Sequence, residues 1–329
     1  MGNGLKVAVA GAGGIGKHHA NWHHQCGSQV VAILGRDEAR CEQVADSLKQ
    51  LFGFSGRCYT DLSDLLERER PDIVDICTPN AAHYEGAARA LEAGSHVLCE
   101  KPVVWEEPAE SEVLLGQGRR LADLAVTAQR HLAVCTQYAA CLEHYQRLCG
   151  PALGGRDIPG PESIRRLDVE METLARGRNR TAREIWVDMG SHPLSLLLAW
   201  RPDGEILAST AEVSLAGNEA RAVFDYGNAQ NCCQVDIAVR DRPDGVPVRR
   251  FGINGALADC SGRPGDDGLY RSVLSQGERE EVGDDFMHRL IRQFTAAVLG
   301  DEAHPLVTGA TGLRNLQLQL ELLAAAQPT

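Results

Sequence analysis

Between Leu5 and Gly27 a short apolar run, LKVAVA at 5–10, meets GAGGIG at 11–16 and then a segment of helical pattern that begins at Lys17. This strand–turn–helix junction constrains the chain more than any other feature. Gly11, Gly13 and Gly16 form G-x-G-x-x-G. The first glycine permits a tight turn, the second lets the backbone approach a pyrophosphate, and the third lets the helix pack close to the strand. The unpaired N–H groups at the start of that helix then face the phosphates. Gly11, Gly13, Gly14, Ile15 and Gly16 are therefore the candidate phosphate-binding turn of a dinucleotide site.

The alternation continues. QVVAIL at 29–34 reads as a strand, 37–51 as a helix, 58–59 as a lead into a helix at 62–67, IVDICT at 73–78 as a strand and 81–93 as a helix. HVLC at 96–99, a helical stretch at 108–130 and LAVCT at 132–136 extend the series of βα units, which implies a doubly wound parallel sheet. The first domain is expected to span residues 1–138. GPALGGRDIPGP at 150–161 reads as a loop. Strand-like runs follow at 166–172, 208–215, 219–226, 232–239 and 248–253, then helices at 284–299 and 309–325. Residues 139–329 are thus expected to form a second α/β domain with a largely antiparallel open sheet.

Composition narrows the function. The 329 residues carry 33 Lys and Arg against 45 Asp and Glu, a net charge of −12, so no basic face is expected to bind nucleic acid. No apolar stretch approaches the ~20 residues of a membrane span. Met1 to Lys6 lacks a secretory leader pattern, and Lys6 stands where a myristoylation signal has Ser or Thr; a cytoplasmic protein is expected. The 11 cysteines are odd in number and irregular in spacing, which points to reduced thiols in the core. His19 and His23, within HHANWHH, are one helical turn apart and offer a metal pair by spacing. No third ligand accompanies them, and no metal is expected.

The choice of dinucleotide turns on the end of the second strand. An NAD site wants a carboxylate there, to bond the ribose hydroxyls. Here Gly35 occupies the place and Arg36 follows. A small residue leaves room for a 2′-phosphate, and a guanidinium pairs with it. NADP(H) is expected. The alternative is NAD, with Asp37 on the ribose and Arg36 in solvent.

Four segments resemble the glucose–fructose oxidoreductase/inositol dehydrogenase (Gfo/Idh/MocA) family. They are VAGAGGIGKHHA at 9–20, with its histidine at His19, TPNAAH at 78–83, VLCEKP at 97–102, and DMGSH at 188–192. The resemblance implies an N-terminal Rossmann domain followed by an α/β domain that binds substrate and forms subunit contacts, in a homodimer or homotetramer. It implies that Thr78, Pro79, Asn80 and His83 line the nicotinamide side. The family often continues its last motif as His-x-x-Asp, and here Ser195 takes the final place, which argues against a plain inositol- or glucose-like substrate.

Lys101 follows a strand at the carboxyl edge of the sheet, where doubly wound folds bind ligands. The chain has only four lysines, Lys6, Lys17, Lys49 and Lys101, so a surface role is less natural for this one. Glu100 can fix its position, and its ammonium can stabilise a developing alkoxide. Asp188 and His192 are four apart, ahead of an apolar helical run at 194–200, with Ser191 as a candidate cap and Pro193 tolerable in the first turn. The resemblance makes His192 the general acid/base and Asp188 its orienter or a substrate ligand. Tyr138 is a candidate substrate contact. Within RGRNRTAR, Arg180 and Arg183 are candidates to bind an anionic substrate group, alongside Arg176 and Arg178.

Together these readings describe an NADP(H)-dependent oxidoreductase that exchanges a hydride with a small-molecule, sugar-like alcohol or ketone. Two other readings stay open: an NADPH-dependent imine reductase of specialised metabolism, and a regulator that senses NADP without turnover.

Overall fold

The computed structural model describes residues 4–108, 110–155, 159–267 and 269–326. Contacts divide the chain into two units. The first comprises 1–136 and 287–316, the second 137–286 and 317–329. The division after Thr136 falls two residues before the expected boundary at 138. The return of 287–316 to the first unit is something a single cut at 138 does not express.

The first unit alternates strand and helix: β1 (Lys6–Ala10), α1 (Ile15–Gln25), β2 (Gln29–Leu34), α2 (Glu38–Phe52), β3 (Arg57–Tyr59), α3 (Leu62–Glu69), β4 (Ile73–Ile76), α4 (His83–Glu92), β5 (His96–Cys99), α5 (Ser111–Ala128) and β6 (Leu132–Val134). Its six strands are all parallel and lie in the order β3-β2-β1-β4-β5-β6. Val7, Ala8, Val9, Ile73 and Val74 are wholly buried, as strands covered on both faces require. Local chemistry sets the helix ends. Asp37 caps α2 by accepting from Arg40 N at 2.8 Å, and Asp61 caps α3 by accepting from Asp64 N at 3.0 Å. Helix α5 begins at Ser111, later than the expected 108.

The buried stripe of α1 is unusual. It consists of Gly16, His19, Ala20 and His23. Two histidines point where such a helix ordinarily presents aliphatic side chains.

The second unit contains α6 (Leu142–Cys149), β7 (Arg166–Leu174), α7 (Ala182–Met189), α8 (Ser191–Trp200), β8 (Glu205–Ile206), β9 (Glu212–Ala216), β10 (Glu219–Gly227), β11 (Cys232–Arg242), β12 (Arg249–Ile253), β13 (Ala256–Pro264), β14 (Tyr270–Gln276) and β15 (Arg279–Asp284). They form one nine-stranded sheet, β15-β14-β13-β12-β7-β11-β10-β8, with β9 also on β10. Among its pairings β7 with β11 is parallel and the others are antiparallel. Helices α9 (Phe286–Leu299) and α10 (Gly309–Ala325) end the chain. The expected strand at 208–215 is a 3-10 turn at Ala208–Thr210 followed by β9. Strands β13 to β15 were not foreseen. Their sequence, ALADCSGRPGDDGLYRSVLSQGEREEVGD, is too polar to announce strands by hydrophobicity. In the expected loop at 150–161, residues 156–158 lie outside the described residues, as do Met1 to Asn3.

Alternation along β10 and β11 buries Ala220, Ala222, Phe224, Cys233, Val235, Ile237 and Val239 on one face. The other face carries cross-strand ion pairs such as Arg221–Asp236 at 2.7 Å and Arg240–Glu219 at 2.8 Å. On the apolar side Trp186 of α7 is fully buried. Its Nε1 donates to Gln319 O at 3.2 Å while Gln319 Nε2 donates back to Trp186 O at 2.9 Å.

Candidate functional site

The glycine turn has the geometry its spacing implies. Gly11 takes φ +88°, and a Cβ there would stand 2.5 Å from Cys77 O; at Gly16 a Cβ would stand 2.6 Å from Gly11 O. Both positions demand glycine. By contrast, nothing lies within 4 Å of a Cβ on Gly14, which is the N-cap of α1 and brings no side-chain cap. Gly13, Gly14 and Ile15 are exposed. The positive end of α1 is thus presented at an open surface, which fits a pyrophosphate.

At the end of β2, a Cβ on Gly35 would stand 3.0 Å from Cys41 Cβ and 3.2 Å from its Sγ. The buried Cys41 therefore packs closely against this position, and a side chain at 35 would need it to shift by a few tenths of an ångström. Asp37 spends Oδ1 on its helix cap. The Arg36 side chain is 91% exposed and only loosely paired with Asp37, at 3.7 Å. Sequence reasoning missed Arg40. From the first turn of α2 its Nε comes within 3.9 Å of a Cβ built on Gly13, so its guanidinium lies beside the glycine turn. The available signal was an arginine in the first turn of the helix that follows Gly35-Arg36.

Thr78, Pro79 and Asn80 follow β4, and Thr78 Oγ1 is buried without a hydrogen-bond partner, an orphan of the kind a bound group satisfies. His83 is completely buried. Its Nδ1 lies 2.8 Å from Pro102 O and its Nε2 2.9 Å from Thr78 O, and burial pushes its pKa down. It ties the loop after β4 to the turn after β5. Lys101 is half-buried in that second turn, and its N–H donates to Glu100 Oε2 at 3.3 Å.

Beneath this edge lies a charged cluster in the core. Asp75 of β4 is fully buried, and its Oδ2 takes hydrogen bonds from His19 Nδ1 and His23 Nε2, each at 2.9 Å. His19 Nε2 faces Glu100 Oε1 at 3.3 Å. Cys77 Sγ lies 3.3 Å from His19 Nδ1 and 3.4 Å from Asp75 Oδ1. Burial alone would lower the pKa of His19, but the charge and hydrogen bond of Asp75, with Glu100 behind them, outweigh it and raise it to about 10. For Asp75 burial acts upward, and the two histidines prevail, holding it well below the usual carboxylate range. His19, Asp75 and Cys77 lie close enough to hold a metal ion, as do His19, Glu100 and Cys135. A metal would have to expel a proton from His19 and another from a thiol whose pKa burial has driven up, so the donors fit a proton better than an ion.

In the second unit Asp188 ends α7 and His192 opens α8, joined at Gly190, where a Cβ would stand 2.7 Å from Trp186 O. Gly190 occupies the cap position, so Ser191 is the first helical residue rather than the cap expected of it. Asp188 is 46% exposed and its Oδ2 accepts from Arg180 Nη1 at 2.6 Å. The same Arg180 grips the buried Asp241 through Nε at 2.9 Å and Nη2 at 2.5 Å. Its fork is thus committed to two carboxylates, which corrects its expected role as an anion binder. Arg183, Arg176 and Arg178 are exposed. Tyr138 is buried with its ring edge-on to His192, centroids 5.2 Å apart, and packs also on Phe251 and Phe286. It shapes the histidine's surroundings.

Residues 5–135 match the oxidoreductase family with an NAD-binding Rossmann fold. The match covers the first unit's βα repeat and stops at the start of the second unit. Through it the first unit is similar to the Gfo/Idh/MocA family. A D-glucoside 3-dehydrogenase of Escherichia coli is 28% identical over 192 residues, 58% of this chain and 52% of that protein. The chain thus spans about half the length of this relative. A 3-ketoreductase of Actinomadura kijaniata, solved with NADP and TDP-benzene, has a TM-score of 0.73 at 20% identity, covering 99% of this chain and 98% of that one. An inositol dehydrogenase homolog of Azotobacter vinelandii, solved with NAD+, has a TM-score of 0.69 at 18% identity, covering 98% and 95%. At such identities the likeness shows the fold.

Proposed function

We propose that the protein is an NADP(H)-dependent oxidoreductase acting on a sugar-like alcohol or ketone. The observation that carries the cofactor choice is Gly35, closely packed by Cys41, in the place of an acid, while Asp37 spends Oδ1 on its cap. Arg36 and Arg40 then supply the cations for a 2′-phosphate. Similarity to a D-glucoside 3-dehydrogenase and a 3-ketoreductase supports a sugar-like substrate.

The bound nicotinamide would supply the hydride acceptor or donor. Lys101 would donate a hydrogen bond to the substrate oxygen and stabilise it as it becomes an alkoxide. His192 would take the hydroxyl proton during oxidation and return one during reduction. Asp188, held by Arg180, would orient substrate or imidazole. Arg183, exposed at the start of α7, remains the candidate for an anionic substrate group. The reading carries with it a homodimer or homotetramer in the cytoplasm, which light scattering and cell fractionation would check.

Titration with NADPH and NADH, followed by tryptophan fluorescence, tests the core of this reading. NADPH is expected to bind at least about tenfold tighter, and Arg36→Ala to erase most of that margin, as loss of a charge-assisted contact implies. Tighter NADH binding would overturn the cofactor choice, and binding of neither would overturn the function.

A further inference from the structure

The catalytic roles proposed above leave the core cluster under Lys101 unused. Its placement is costly, since charge buried away from water is tolerated only when paired. The groups facing His19 come from every element around it: Asp75 and Cys77 from β4 and the residue after it, Glu100 after β5, Cys135 after β6, and His23 and Trp22 from α1, whose indole centroid is 5.7 Å away. Asp75 takes one ring nitrogen of His19 and Glu100 faces the other. Both nitrogens thus face a carboxylate, an arrangement that favours the imidazolium form.

We propose that His19 is a positioning residue: a buried cation, anchored by Asp75, that holds the Glu100 carboxylate ionised and in place and thereby sets the turn that carries Lys101. The inference deepens the function proposed above and rests on it for the role of Lys101. Its physical content stands on geometry. Glu100 Oε1 lies 3.3 Å from His19 Nε2, and Glu100 Oε2 receives the backbone N–H of Lys101 at 3.3 Å, so one carboxylate links the helix after the glycine turn to the backbone that carries the lysine. His23 shares Asp75 with His19, at 2.9 Å through its Nε2, and so provides the comparison on the same helix.

The scarcity of lysine makes a direct test practical. Reductive methylation with 13C-formaldehyde labels four lysines and the N-terminus, and Lys101→Arg identifies the Lys101 signal. Protonation of Glu100 should appear as a step in that signal as pH falls, and Glu100→Gln should abolish it. In His19→Gln the carboxylate loses its cation and should take up its proton at a pH higher by about one unit or more. His23→Gln should leave the step where the wild type has it. Amide exchange at Lys101 should quicken in His19→Gln and not in His23→Gln.

The proposal is overturned if His19→Gln leaves the step in place, or if His23→Gln moves it as far. Should His19→Gln fail to fold, ring-15N histidine spectra of the wild type decide: an imidazolium at pH 8 supports the proposal, and a neutral His19 there overturns it. None of these readouts requires turnover. Failure to bind NADPH or NADH would therefore sink the proposed function and leave this test intact.

Discussion

Two constellations of carboxylates and a cation stand in this molecule, and they are built on opposite principles. In the first unit Asp75 and His19 are both wholly buried and the cation is a titratable imidazole. In the second, Asp188 is 46% exposed, Arg180 is 12% exposed, and the cation is a guanidinium that keeps its charge at every working pH. The first must stay paired because water cannot reach it. The second keeps its buried end, Asp241, gripped by Arg180 while Asp188 at its outer end meets solvent.

The sharpest way to break this contrast is to empty the buried carboxylate. Asp75→Ala leaves His19 and His23 in the core with no anion between them and should cost about 3–5 kcal/mol of stability in urea unfolding, the usual price of breaking a buried pair. A loss below about 1 kcal/mol would mean that water or rearrangement relieves the cluster, and the two constellations would not differ in kind.

Next in size is the pH dependence of stability. The pKa of His19 is near 6.5 as an ordinary histidine and about 10 in the fold. Because the folded value is the higher one, its contribution is fully present below about pH 6.5 and is lost as pH rises through about 10. Urea midpoints should fall across that window by an amount equivalent to a few kcal/mol, and the fall should shrink in His19→Gln. Asp75 works in the other direction: its pKa is depressed, so its share is present at neutral pH and is lost only in acid. Stability unchanged between pH 7 and 10 would count against a charged His19.

The smallest of the three effects belongs to the half-exposed set. Arg180→Gln removes the partner of Asp241 and should cost about 2 kcal/mol, on the scale of hydrogen bonds to charged groups. Its stability deficit should be nearly flat between pH 6.5 and 10, since the guanidinium keeps its charge throughout. A deficit that varies with pH as the buried set does would erase the distinction.

Much of the first unit was legible because its requirements are local. A φ of +88° at Gly11, with a carbonyl 2.5 Å from any Cβ, is a demand one residue type meets, and the sequence shows that residue. Strands such as LKVAVA and helix caps such as Asp37 likewise depend on neighbours a few positions away. The second sheet was legible where apolar residues mark the strands, at β7, β10, β11 and β12, and not at β13 to β15, whose sequence is more polar. His19 and His23 looked like a metal pair by spacing. The structure turns both onto Asp75, more than fifty residues away, which in sequence is merely an acid inside an apolar strand.

The chain by itself thus determined where nucleotide phosphates can be received, that Gly35 and not an acid ends the second strand, and where Lys101, Asp188 and His192 fall along the fold. Tertiary structure alone decided the partners: Glu100 with His19, His83 with two backbone carbonyls, and Arg180 with Asp188 and Asp241. The reason is one of range. Backbone sterics and capping act over a few residues and leave their mark in order and spacing. Desolvation acts on whichever groups the fold gathers, and it forces each buried charge to take the partner that packing places within reach.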